Sequence, residues 1–272
     1  MEESNDPKVE ARWEEIWALL EEERTEDAIK LALSSLNELG DHPELRFLLG
    51  MGLMDAGELE AAIPEFEAVV EADPEWADAR AALAWTMFRG CRFDDASRIV
   101  DEALALDPDL ADAYQLRGLL AERDGDADAA GHAFARARRL DPERFPETYR
   151  MGEDEFLEVA QEAVQELDEK VLEVLEETAF FVQDVPAEEL LRESDPPLDP
   201  QILGLFVGRS LIEQSVDESG TLPNTMYLFQ RNLEREATTR ELLEEEIRIT
   251  VLHEIAHHFG WDEEELEARG FA

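Results

Sequence analysis

The chain has 272 residues, 44% of them hydrophobic, with only 14 Gly and 12 Pro, enough to build one or two domains with buried cores. With 69 Asp and Glu against 24 Lys and Arg the formal charge is -45, so the surface should repel nucleic acid phosphates and anionic membranes, and neither is expected as a partner. The single cysteine, Cys91, permits no intrachain disulfide and reads as a buried free thiol. The first residues lack the basic and apolar stretches of a secretion signal and no apolar run reaches membrane-spanning length, so the expected location is the cytoplasm.

The first half is periodic. Pro74, Pro108 and Pro142, each in an Asp-Pro pair, recur every 34 residues, as do Ala28, Ala62, Ala96 and Ala130. Gly57 and Gly125 stand at equivalent points between two helical patterns, with Gly90 one residue off. Each unit therefore predicts two helices. Within residues 43–76, Leu45, Leu48, Leu49 and Leu53 form one apolar stripe and Ala62, Ile63, Phe66 and Val69 a second, both at helical spacing.

This pattern resembles the tetratricopeptide repeat, which places Gly eighth, Ala twentieth, a large residue twenty-fourth and Pro thirty-second. Gly50, Ala62, Phe66 and Pro74 fill those places, as do Gly118, Ala130, Phe134 and Pro142. The unit at 77–110 has Ala84 where Gly belongs, and the first unit, about 9–42, keeps Ala28 but carries Gly40 at the proline place. The resemblance implies four repeats over residues 9–150 forming an α-solenoid, with a concave groove that binds a peptide or protein partner. The groove positions it implies are Phe47, Met51, Met54, Trp85, Phe88 and Leu119, an apolar set that could equally pack into the interior. The Lys and Asn clamp of chaperone-binding members is absent.

After Pro142 the period stops, and a second domain is expected over 153–272. An amphipathic helix is predicted from about Phe156 to Leu175, then a strand over Ala179–Val185 ended by Pro186. SDPPLDP, Ser194 to Pro200, reads as an exposed loop. The short apolar stretches LGLFVGRSL, bracketed by Gly204 and Gly208, and Thr225 to Gln230, the second read as a strand, follow. A long helix then starts near Thr239, with Leu242, Leu243, Ile247, Val251, Leu252 and Ile255 as its buried face.

That last helix carries the chemistry. His253 and His257 are four residues apart, so their imidazoles lie on one side of the helix, as two ligands of one tetrahedral ion require. Glu254, about a quarter-turn away, has the chemistry of a general base beside the open position of such an ion. His258 is turned away from the pair, and Gly260 stops the helix.

From roughly Phe156 to the C-terminus the chain resembles the small zincin-like metallopeptidase family of bacteria, which joins a minimal α+β zincin fold to the motif H-E-x-x-H-x-x-G-x-x-D. The resemblance rests on LGLFVG, the S-G-x-L-P turn before Tyr227, EEIRITVLHEIAHHFG and ELEARG. It implies that His253 and His257 bind Zn2+ and that Glu254 is the general base. At the motif's aspartate this chain has Glu263, preceded by Asp262. Either carboxylate could be the third ligand, and Glu263 is favoured because it matches the motif's position.

The expected function is hydrolysis of peptide bonds by metal-activated water, with the Thr225 to Gln230 strand pairing with extended substrate and the repeats recruiting substrate or partner. The competing reading is a repeat scaffold carrying a structural-zinc or inactive zincin domain. The expected fold is mainly α, a solenoid of helix pairs joined to a small α+β domain.

Overall fold

The computed structural model of the protein describes residues 6–165, 178–208 and 224–259, excepting the side chains of residues 257–259. Eight helices form the first part: α1 Pro7–Glu21, α2 Thr25–Leu39, α3 Pro43–Asp55, α4 Leu59–Ala72, α5 Ala77–Arg89, α6 Phe93–Leu106, α7 Ala111–Arg123 and α8 Ala127–Leu140. The second helix of each pair begins at residue 25, 59, 93 or 127, the period of 34 residues. The fold is the tetratricopeptide-like solenoid, followed by a small α+β part.

Every turn inside a helix pair is built alike. A residue with positive φ follows the first helix: Glu23 (57°), Gly57 (77°), Cys91 (58°) and Gly125 (75°). The next amide reaches back to the carbonyl five residues earlier, from Arg24 to Leu19, Glu58 to Leu53, Arg92 to Met87 and Asp126 to Ala121. This closure satisfies the carbonyls that a helix end leaves open, at the cost of a left-handed residue for which Gly is best suited. The third repeat fills the place with Cys91, which is fully buried, while Gly90 lies one residue too early and has a negative φ of -81°. The Asp-Pro pairs end the second helices: the Asp73 and Asp107 carboxylates accept from the amides two residues on, Glu75 at 3.1 Å and Asp109 at 2.8 Å.

The repeat's small-large pairing is a volume rule. A Cβ added at Gly50 would lie 2.8 Å from the Phe66 ring, and one at Gly118 would lie 2.4 Å from the Phe134 ring. The third repeat has Ala84 and Val100 at the same two places, and the first has Ile16 and Ala32, all four buried. A larger residue on the first helix is matched by a smaller one on the second, keeping the helices within packing distance.

Among the described residues the second part has helix α9 (Glu153–Gln165), strand β1 (Ala179–Gln183), the single turn α10 (Glu188–Leu191), strands β2 (Gly204–Val207) and β3 (Thr225–Phe229), and helices α11 (Gln230–Glu236) and α12 (Arg240–Phe259). The remainder of the helix expected to Leu175 lies outside the described residues. The sheet order is β1-β3-β2, with β1 parallel and β2 antiparallel to β3. Phe156, Met226, Leu228, Leu243, Ile247, Val251 and Ile255 form the core between the sheet and the two long helices.

Polar groups fix where α11 begins. Glu234 is buried and accepts from Gln230 Nε2 (2.9 Å), Met151 N (3.0 Å), Arg150 Nη1 (2.6 Å) and Arg231 Nη1 (2.9 Å). Burial pushes its carboxyl upward, but the hydrogen bonds from Gln230, Met151 and Arg150 outweigh burial and hold it below the usual range.

The chain divides into two compact units, one of Met1–Phe145 with Leu191–Asp199, the other of Pro146–Leu190 with Pro200–Ala272. Of the stretch between β1 and β2, Leu191–Asp199 thus belongs to the repeat unit. No described helix is long and apolar enough to cross a membrane.

Candidate metal centre

Helix α12 is anchored by Leu243, Ile247, Val251 and Ile255, none more than 1% exposed. This apolar stripe sets the rotation of the helix, leaving His253 exposed and Glu254 half-buried. One turn on, the backbone of residue 257 is still helical, so the four-residue spacing of the two histidines is carried on unbroken helix. The side chains of His257 and His258 lie outside the described residues, as do Gly260, Asp262 and Glu263. Among the described residues no three His, Cys, Asp or Glu side chains come together.

The Glu254 carboxylate has a defined place. Its Oε2 accepts from the backbone N–H of Phe206 in β2 at 3.0 Å. The close approach depends on Gly204: a Cβ there would fall 2.9 Å from Thr250 Cγ2, 3.0 Å from Glu254 Cγ and 3.3 Å from Tyr227 O. Two residues one turn apart on α12 therefore press on a single glycine. Strand β2 thus approaches Glu254 closely at Gly204 and bonds it from Phe206. The residue types suit a metal of the zinc type: His253 is an exposed imidazole with a carboxylate beside it held by a strand amide, and a second histidine follows four residues on in sequence, its side chain outside the described residues.

The strand expected to receive substrate is corrected by the sheet order. β3 is central, paired through Thr225–Phe229 with β1 on one side and with β2 on the other, so both of its hydrogen-bonding edges are used. Its neighbour β2 is at an edge of the described sheet and is the strand that touches Glu254. Gly204 and Phe206 were the site residues the sequence did not single out. The glycines bracketing LGLFVG were the available signal, since Gly in a short strand marks close backbone approach.

The groove of the repeats is also corrected in part. Phe47, Phe88 and Leu119 are buried, at 7%, 2% and 2% exposure, and serve as packing. Phe47 stacks on Trp13 and Trp76 at 5.8 and 4.9 Å between ring centroids, and Phe88 meets Trp85 and Phe93 edge-on. Met51, Met54 and Trp85 remain half-buried.

Two family models match separate stretches of the chain. A family model for zincin-like metallopeptidase matches residues 175–271, which include His253, Glu254, His257, Asp262 and Glu263. A tetratricopeptide repeat model matches residues 53–120. No curated protein matches the chain. Similar solved structures include YrrB, titled a TPR protein with an unusual peptide-binding site, at 18% identity and a TM-score of 0.42 over 50% of this chain and 70% of that one. The thermophilic TPR protein TTC0263 of Thermus thermophilus gives 19% and 0.47 over 49% and 75%. MamA gives 22% and 0.43 over 50% and 80%.

Proposed function

We propose that the chain is a zinc-dependent peptidase with two modules, repeats over 9–150 and a peptidase domain over 153–272. The observation that carries this reading is the placement of the Glu254 carboxylate against β2, next to a histidine on the outer face of α12. His253 and His257 would hold the metal, with Glu263, or Asp262 beside it, as third ligand. The metal when bound would supply Lewis acidity, lowering the pKa of water and polarising a carbonyl.

The chain's own residues do the remainder. Glu254 accepts a proton from the attacking water and delivers it to the leaving amine. The Phe206 N–H, donating to Oε2, orients that carboxylate against β2. Strand β2, at an edge of the described sheet, offers main-chain groups to an extended peptide. The repeats recruit the protein that carries the scissile bond.

Glu254→Gln is the test, because it removes the base and keeps size and ligands. Zinc content and fold should persist while turnover of substrates found by peptide-library screening falls by at least about a hundredfold. Equal cleavage by wild type and variant would overturn the peptidase reading. If wild type cleaves nothing while binding zinc, the Phe206 bond to Glu254 is a structural contact and the chain is a repeat scaffold with a zinc-bearing domain.

A further inference from the structure

The repeat unit includes nine residues that the repeat pattern does not account for, Leu191–Asp199. They lie against the turns of the second and third repeats. Arg89, at the end of α5, donates from Nε to Asp199 Oδ2 at 2.9 Å and from Nη1 to Met54 O at 2.8 Å. One guanidinium thus joins the end of α3 to the far end of this segment. Arg192 Nη2 donates to Cys91 O at 2.6 Å, and Cys91 Sγ lies 3.5 Å from Leu198 O. Cys91 is the left-handed residue of its turn, at the place where Gly stands in the second and fourth repeats. A glycine would serve the turn better, and the thiol that replaces it meets the segment.

The segment has the form of a bound ligand. It closes on itself through Leu198 N to Leu191 O at 2.9 Å, and Leu191 is fully buried. Two prolines, Pro196 and Pro197, stiffen it and lower the cost of ordering it on a surface. Its acidic end meets one of few cations in a chain of formal charge -45. Beside it a cavity of about 460 Å³ is lined by Gly57, Leu59, Arg89, Gly90, Pro196 and Pro197, so the segment fills only part of the surface it rests on.

We propose that the turn edge of the second and third repeats is a peptide-binding site, separate from the concave groove, which reads a proline-proline-apolar-aspartate segment, with Leu191–Asp199 as its resident ligand. Arg89 reads the carboxylate, while Cys91 supplies a main-chain acceptor and a thiol. An external peptide of the same class, acidic and proline-containing, takes the place when the resident segment is absent.

The test uses the full chain and the fluorescein-labelled peptide Ser-Asp-Pro-Pro-Leu-Asp-Pro, which copies residues 194–200. Its anisotropy should show saturable binding to a variant carrying Pro196→Gly, Pro197→Gly and Asp199→Ser. Binding should be at least about tenfold weaker to wild type, whose own segment competes, and about tenfold weaker again when Arg89→Gln is added, as loss of a charge-assisted hydrogen bond implies. No saturable binding to the triple variant at millimolar peptide, or binding indifferent to Arg89, overturns the proposal. Hydrogen exchange guards against a folding artefact. The Leu198 amide should exchange about tenfold faster in Arg89→Gln than in wild type or in Arg117→Gln, while the α5 amides stay protected. Unchanged exchange at Leu198 counts against the proposal equally.

Discussion

Gly204 carries more of the candidate site than its lack of a side chain suggests. Three groups crowd the position where its Cβ would be, and two of them, Thr250 and Glu254, are on α12. Gly204→Ala must push β2 away from the helix or turn the Glu254 side chain, at a cost of about 1–3 kcal/mol. The expected outcome is a loss of turnover larger than the loss of thermal stability, with zinc retained, because none of the three groups that crowd Gly204 is a proposed metal ligand. Metal analysis alongside kinetics checks it, and loss of zinc at the same rate as activity would count against the assignment. Glu234 behaves differently, since its carboxyl is held below the usual range. A carboxyl depressed on folding contributes stability that is fully present above the ordinary Glu range, about pH 4.3, and lost as pH falls towards the lowered value. Thermal stability of the sheet unit should therefore fall on acidification below about pH 4.3, and less steeply in Glu234→Gln. That variant should also start about 2 kcal/mol less stable at neutral pH, a figure kept modest by the partial exposure of Arg150 and Arg231.

At the scale of elements, the volume rule of the repeats makes a sharper test than any single packing substitution. Gly118→Ala puts a carbon 2.4 Å from the Phe134 ring and should destabilise the repeat unit by about 1–3 kcal/mol. Adding Phe134→Val reproduces the Ala84 and Val100 pair that the third repeat already uses. The double variant should recover a large part of the loss, read as a non-additive shift in unfolding midpoint. Strict additivity would mean that the two positions do not share their space. The same elements show what was legible in the sequence and why. The repeat helices could be read because residues at helical spacing recur every 34 positions, with Asp-Pro pairs marking the ends of α4, α6 and α8. α11 was missed because three of its four buried positions, Gln230, Asn232 and Glu234, are polar and only Leu233 is apolar, and hydrophobic periodicity is blind to a helix held by hydrogen bonds. Cys91 was passed over for Gly90 because a left-handed residue is normally sought among glycines. β1 and β3 were each recognised, but their order was not, since strands of five residues carry alternation and no record of their neighbours.

Repeat periodicity and the zincin-type motif lead to the expectation of modules over 9–150 and 153–272, with the SDPPLDP stretch as an exposed loop. The structure adds that the chain enters the repeat unit a second time at Leu191 and leaves it again at Asp199. Residues just after the junction are held by the sheet unit, through Tyr149 N to Ala237 O and Met151 N to Glu234, so a cut between Phe145 and Pro146 severs covalent continuity without disturbing either core. With a specific protease site inserted there, the two pieces should still elute together on size exclusion, because Leu191–Asp199 remains attached to the turns around Arg89 and Cys91. Adding Asp199→Asn and Arg192→Gln removes an ion pair and a charge-assisted hydrogen bond, and should raise the dissociation constant of the pieces by about tenfold or more. A second cut engineered at Ser194 should release them. Wild-type pieces that separate after the first cut alone would show that the sequence boundary, and not this returning segment, governs how the chain is held together.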